Sequence, residues 1–507
     1  MKLFSVVFIA FLLGALGVYY LLPKILRPAW LLVCSYAFYL YDLAHIGFVL
    51  LLACATAVTW AAGLLLEAAR PRWLRRIITL AAAAACLIPL GYYKYAGFFA
   101  GVAESISKAF GGSYTARPFD LALPLGISYF TFTALGYVLD VMANKYPAEK
   151  NPLYYALFVS FFPCIVTGPI ERADHMLPQL RRPAAFDYNT FTGGVFRILY
   201  GFFKKLVLAG VLADLMELVW KYPMRYSGPV LAAAALLFTA ELYFDFSASS
   251  DIAIGAGACF GFTITENFRR PLASPTFKGL WDTWHMSLTQ WLEDYVFTPV
   301  AWGGWEQKLP GLRRLYAESH PTVIALFVTY LVSGFWHGAS WNYIVWGLLN
   351  GAFLFVGNLT RKKRKKLNKK NPFFTVRALA PLRRCFQTGF TYLLFSFTLV
   401  LFWVDLYAHG DLAAAFAVYQ RIFTDGWGQL AAAFVPQMSV LGFTPELCIV
   451  LAAGALLTNF LEMPKTPVNV SIRRVPIFLR WPLYYLLTAA ILLYGAFGQS
   501  AFIYQQY

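Results

Sequence analysis

The sequence predicts an all-α, polytopic integral membrane protein, and three observations predict it. Of the 507 residues, 59% are hydrophobic and 13% charged, against about 25% charged in soluble domains. Apolar runs of about 20 residues, enough for a helix to cross ~30 Å of hydrocarbon, recur along the chain. The Lys and Arg residues gather in short stretches between those runs. Lipid offers backbone N–H and C=O groups no partner, so the runs must be helical or enclosed by protein.

Taken in order, Leu3 to Leu22 reads as a first helix, not a signal peptide, because no small-residue cleavage site follows it. Further spans fall at about 29–42, 44–66, 77–101, 121–142, 153–169, 190–219, 229–262, 322–336, 341–359, 386–406, 445–462 and 481–498. They amount to roughly eleven crossings plus partial ones. The run through Phe161-Phe162-Pro163-Cys164 is short and broken by proline, which predicts a segment that enters the membrane and returns. From Tyr243 to Gly255, Asp245, Asp251 and three serines interrupt an apolar helix, and Glu266-Asn267-Phe268-Arg269-Arg270-Pro271 is too polar to cross. Trp284, His285, Leu288, Trp291, Leu292, Tyr295 and Val296 then repeat at helical spacing, the pattern of a helix along the interface or lining a cavity. The expected organisation is one membrane-embedded domain over 1–507, densest in motifs at 120–360, with a basic cytoplasmic loop at 361–384.

The net charge of +17 does not point to nucleic acid, because it sits in loops where it acts as a topology signal. Arg70 to Arg76, Arg172 with Arg181 and Arg182, and the run from Arg361 to Lys370 are expected to face the cytoplasm, which puts Met1 and Tyr507 on the outer side. The 361–370 run reads as an orienting segment against anionic lipid. The cysteines, mostly inside apolar segments without close pairing, form neither a disulfide framework nor a metal-ligand pattern, so no metal is expected. Walker, Gly-rich phosphate and GxSxG patterns are absent, as is any visible internal repeat of the kind many secondary transporters carry.

Two histidines stand out, in Trp281-Asp282-Thr283-Trp284-His285-Met286-Ser287 and in Phe335-Trp336-His337-Gly338-Ala339-Ser340-Trp341. Ionisable side chains in or beside lipid are costly and suggest function before stability. His45, His175, His320 and His409 fall in predicted loops or helix ends and receive no role.

Read together, the motifs resemble the membrane-bound O-acyltransferase (MBOAT) family, in particular its bacterial alginate O-acetyltransferase and D-alanyl-lipoteichoic acid transfer branch. The resemblance covers nearly the whole chain. It runs through Tyr19 to Pro23, Ser35 to Tyr39, Gly91-Tyr92-Tyr93-Lys94-Tyr95, Pro124 to Phe132, and Phe161 to Pro163 with Gly168 to Ile170. It is strongest at Tyr243 to Gly255, Glu266 to Pro271, Trp281 to Pro299 and Phe335 to Gly351. The ending, Phe497 to Ser500 with Phe502-Ile503-Tyr504, is similar to the alginate type. Where the alginate branch often carries arginines, this chain has Asp282-Thr283 and Glu293, which makes the local charge more acidic.

The resemblance implies helices around a central funnel, with re-entrant and interfacial pieces. It implies acyl transfer from a cytoplasmic thioester, acetyl-CoA above all, to a hydroxyl, with no permanently bound cofactor. The acyl group then emerges across the inner membrane for a periplasmic SGNH-type partner that modifies a cell-envelope or exopolysaccharide. D-alanyl transfer from a carrier-protein thioester is the alternative within the family; a proton-coupled transporter and a non-catalytic scaffold are alternatives outside it. The family's functional histidine carries over onto His337, a general base for a hydroxyl that is a poor nucleophile by itself. The second polar position carries over onto His285, to orient the donor or donate to a developing oxyanion. Trp281, Trp284, Ser287, Asp294, Trp336 and Asn342, with Asp245 and Asp251, are expected as supporting or funnel-lining residues; for the two helix aspartates, polar contacts between helices are the plainer reading.

Overall fold

The computed structural model describes residues 3–41, 46–116, 122–303, 322–370, 373 and 376–497. His45, His320, both chain ends and the closing motif beyond Phe497 lie outside these residues. Among the described residues the chain is helical throughout, with no strand.

Six helices are long and apolar enough to cross a membrane: Gly47–Ala68, Arg72–Ala109, Gly228–Cys259, Trp341–Leu359, Arg377–Ala408 and Ile477–Tyr494. Phe434–Val440 and Pro445–Leu461, bent by 87°, make a seventh if taken as one span. The sequence count of roughly eleven is larger because several apolar runs form shorter or broken helices, Val6–Leu21, Ile127–Met142, Pro152–Ile165 and Val323–His337 among them. The 190–219 run shows one cause. It divides into Tyr188–Phe203, a π-helical turn Lys204–Ala209 and Gly210–Lys221, and the turn presents both Lys204 and Lys205 to acidic groups on Gly228–Cys259.

Two helices define inside and outside. Gly228–Cys259 is buried along most of its length, whereas on Ile477–Tyr494 only Leu487 is buried and Ile477, Phe478, Leu486, Leu492 and Leu493 are exposed. Exposed large apolar side chains on that scale mark a lipid-facing surface.

Through the proline-broken run the chain doubles back, so that Glu149 and Arg181 meet. Asn151 caps Pro152–Ser160 by accepting from the Leu153 N–H. The helix breaks at Phe161, Pro163 has no N–H to donate, and the Phe162 N–H turns instead to Ser35 Oγ at 3.1 Å. Arg181 Nε then donates to Glu149 Oε2 at 2.9 Å, holding the two ends of the excursion together. Beyond Trp341–Leu359 the basic stretch is not a loop. Arg361–Lys370 is a helix of its own, exposed from Arg361 to Lys366, and residues 371, 372, 374 and 375 lie outside the described set.

Tyr188–Phe203 and Gly228–Cys259 meet at glycines. A Cβ on Gly255 would lie 2.7 Å from the Gly194 carbonyl oxygen, and one on Gly194 would lie 2.7 Å from that of Gly255. Neither backbone can yield without parting the helices, and small residues are what permit such approach in membranes. Gly255→Leu is predicted to cost about 1–3 kcal/mol by overpacking, read as a lower midpoint of thermal unfolding in detergent; an unchanged midpoint would contradict this packing.

Candidate active site

The segment after Gly228–Cys259 shapes the site through its backbone. The Met286 N–H donates to the Asn267 carbonyl at 2.8 Å, and the Arg269 N–H donates to the Thr283 carbonyl at 3.0 Å. These bonds use groups that a continuous helix would need. Phe277–Trp281 therefore ends before the next helix, Met286–Leu292, begins. His285 stands between them at φ 44°, a left-handed conformation that is costly for a residue with a Cβ. The helical spacing read through Trp284 and His285 is thus corrected: helix starts only at Met286, and its face lines a cavity.

His337 closes Thr322–His337 and precedes the turn into Trp341–Leu359. The two helices pack backbone to backbone. A Cβ on Gly334 would be 2.2 Å from the Tyr343 carbonyl oxygen and one on Gly347 would be 2.2 Å from that of Tyr330. The His337 ring is held edge-on against Trp346 and Phe402, with centroids 5.1 and 5.2 Å away.

Folding brings the two histidines to one wall. Both are buried, 1% and 3% exposed, and both rings pack against Trp336, with centroids 5.7 Å away for His285 and 4.9 Å for His337. Both border a cavity of about 250 Å³, together with Trp281, Trp284, Leu288, Tyr330 and Ser333. Lys278, Asp282, Glu293 and Asn358 also line it, so the acidic substitutions noted in the sequence belong to this cavity. His337 and Trp336 border a second cavity too, of about 30 Å³, with Lys94, Ser128 and Tyr129. His337 therefore stands between two spaces.

Lys94 was not singled out in the sequence as a site residue. Its ammonium donates to the Trp336 carbonyl at 2.5 Å and lies 5.5 Å from the Trp336 ring. Among the described residues no carboxylate pairs with it. A lysine inside an apolar helix was the available signal, but its partner is 242 residues away.

The remaining predicted residues occupy other places. Ser287 lies behind His285, its hydroxyl accepting from the Ile170 N–H at 3.1 Å and donating to Asn267 Oδ1 at 2.9 Å. Asn342 donates to the Gly410 carbonyl at 2.8 Å, outside either cavity. Asp294 pairs with Arg172 at 2.7 Å while its neighbour Glu293 reaches the cavity. Asp245 pairs with Lys205 at 2.5 Å. Asp251 belongs to a buried ion cluster that borders neither histidine cavity.

That cluster links three parts of the chain. Arg197 donates to Asp251 at 2.8 Å, to both oxygens of Glu266 at 2.5 and 2.6 Å, and to Asn469 Oδ1 at 3.0 Å. Lys204 pairs with Asp251 and with Glu462, and Tyr200 and Tyr243 donate to Glu462. Sequence reasoning missed Arg197, Lys204 and Glu462, each of which looks like a stray charge until its partner is placed beside it, and read Glu266 only as part of a polar motif.

A buried histidine between two cavities in a polytopic helical frame is an arrangement suited to chemistry shielded from solvent. The model of the membrane-bound O-acyltransferase family matches residues 143–400. A probable alginate O-acetylase of Pseudomonas aeruginosa is 34% identical over 421 residues, covering 82% of this chain and 73% of that protein. Its counterpart in Azotobacter vinelandii is 31% identical over 460 residues, 89% of this chain and 84% of that protein. A peptidoglycan O-acetyltransferase of Helicobacter pylori is 29% identical over 372 residues, 68% and 66% of the two chains. The chain belongs to the membrane-bound O-acyltransferase family. It is a multi-pass inner-membrane O-acyltransferase, similar to the bacterial alginate O-acetylases.

Removing one member of a buried ion cluster strands its partners' charge. Arg197→Ala is predicted to cost about 3–5 kcal/mol, seen as a large fall in thermal midpoint in detergent. Lys278→Ala, which breaks an exposed i, i+4 pair with Asp282, is the control and should shift it little.

Proposed function

We propose that this enzyme takes an acetyl group from cytoplasmic acetyl-CoA and delivers it across the inner membrane to a hydroxyl, for O-acetylation of a cell-envelope or exopolysaccharide through a periplasmic SGNH-type partner. The observation that carries the reading is the position of His337 between the two cavities. The larger cavity is lined by Asn358, just before the basic helix Arg361–Lys370, and basic segments flanking membrane helices favour the cytoplasm. Lys94, on the smaller cavity, lies 22 residues along a helix that starts at Arg72, or roughly 33 Å at 1.5 Å per residue. Donor entry from one side and acceptor entry from the other follow from that placement. The names of the relatives, alginate and peptidoglycan acetyl-transferring proteins, support the acetyl group and the polysaccharide end use.

In the proposed reaction the acceptor oxygen attacks the thioester carbon while His337 takes the hydroxyl proton. The new C–O ester bond forms, the C–S bond breaks, and the proton passes to the departing thiolate, giving free CoA thiol. His285 orients the reacting group from the same wall. Trp281 and Trp284 give the larger cavity, and Trp336 the smaller one, an apolar wall beside the histidines. Ser287, Asn342, Asp294, Asp245 and Asp251 support the frame. The corresponding organisation is one membrane-embedded unit with its core at 120–360 and roughly eleven crossings, the shorter and broken helices counted with the long ones.

His337→Ala is predicted to lower acetyl transfer about 10²- to 10⁴-fold at matched protein level, measured as radiolabel passing from acetyl-CoA to polymer or partner in inside-out vesicles. Equal label in wild type and variant would remove His337 from the chemistry. Label drawn only from a carrier-bound aminoacyl thioester would replace acetyl by D-alanyl as the group transferred.

A further inference from the structure

His285 is held by one side chain, Asn267, whose hydrogen bonds determine which ring nitrogen carries the proton. Asn267 is fully buried, 0% exposed, and the backbone N–H of Ser287 points at its Oδ1 at 3.2 Å. A backbone N–H can only donate, so the amide atom it faces must be the oxygen and not the nitrogen. Two neighbours agree. Nδ2 donates to Ser250 Oγ at 3.0 Å. The Ser287 hydroxyl, already accepting from the Ile170 N–H, has its hydrogen left to give to Oδ1 at 2.9 Å. His285 Nδ1 faces the same oxygen at 3.1 Å. An acceptor facing an acceptor would repel, so Nδ1 carries the hydrogen. In a neutral imidazole the other nitrogen, Nε2, is then bare. Nε2 is buried and has no hydrogen-bond partner among the described residues, on a ring that borders the larger cavity.

We propose that Asn267 is a positioning residue that locks His285 in the Nδ1–H tautomer, so that Nε2 presents a hydrogen-bond acceptor to a hydroxyl-bearing substrate beside His337. This deepens the transferase reading above and rests on it. Of the two roles the resemblance allowed His285, orienting the donor or donating to an oxyanion, a bare nitrogen cannot perform the second, and as an acceptor it suits a hydroxyl in place of the thioester donor. An uncharged amide suits the task. It orders the ring as a carboxylate would, without drawing a second proton onto an imidazole enclosed by Phe246, Phe268 and Trp336. The left-handed backbone of His285 and the bond from Met286 N–H to the Asn267 carbonyl fix the same pair of residues from the main chain.

The test is solid-state ¹⁵N NMR of histidine-labelled full-length protein in lipid nanodiscs, with the His285 resonances assigned by their loss in His285→Phe. Wild type should show protonated Nδ1 and bare Nε2 at His285; a protonated Nε2 in the neutral ring overturns the proposal whatever any variant does. Asn267→Ala should let the Nε2–H form rise to at least a comparable population, and should lower acetyl-transfer kcat at least tenfold with the KM for acetyl-CoA changed less than twofold. An unchanged tautomer or an unchanged kcat in a folded Asn267→Ala protein overturns it. Should that variant not fold, Ser250→Ala, which frees the far end of the Asn267 amide, should lower kcat in the same pattern, and an unaltered kcat there counts against the proposal. The NMR readout needs no acyl donor, so a failure of the acetyl-transfer reading leaves the tautomer result standing and is seen separately.

Discussion

Lipid supplies no hydrogen bonds, so a charge buried among membrane helices must be answered by the protein itself. Arg197 and Lys204 impose that constraint here. Arg197 is satisfied only if Asp251, Glu266 and Asn469 converge on it, and Lys204 only if the chain unwinds into a π-helical turn that brings it to Asp251 and Glu462. Such a cluster is weak evidence for stability when compared with an apolar core, but it permits few alternative arrangements. Its place in the chain matters most. Glu266 adjoins Asn267, so the contact that clamps Gly228–Cys259 to Tyr188–Phe203 also sets the start of the segment that holds His285.

The candidate site is built by interrupting regular structure. His285 sits at a break between two short helices, in a backbone conformation that its neighbours enforce. His337 sits at the last turn of a helix locked to its neighbour through glycine contacts. Trp336 is a common wall for both rings and, through its carbonyl, the anchor for Lys94. A change at Trp336 therefore reaches both cavities and all three ionisable groups.

Some of this was legible in the sequence, and hydrophobicity is the reason. Partition into lipid is a local property of a run of side chains, so the span read at 341–359 is the helix Trp341–Leu359, and the run at Phe161 breaks at the proline. The two Trp-His motifs also stood out in the sequence, and the fold buries both histidine rings against Trp336. Less legible was the basic stretch after Leu359, where charge spoke to sidedness and not to shape, and which forms a helix.

By itself, then, the sequence determined the solvent and the helices long enough to span it, since both follow from the chemistry of neighbouring residues. Tertiary structure alone decided which charges pair, that Asp251 belongs to Arg197 and Lys204 and Asp294 to Arg172. It also decided that helix stops short of His285, that Lys94 joins His337 across the fold, and that Asn267 faces His285. Each depends on a hydrogen bond or ion pair between parts of the chain that hydrophobic periodicity does not relate, so no reading of one segment contains the other.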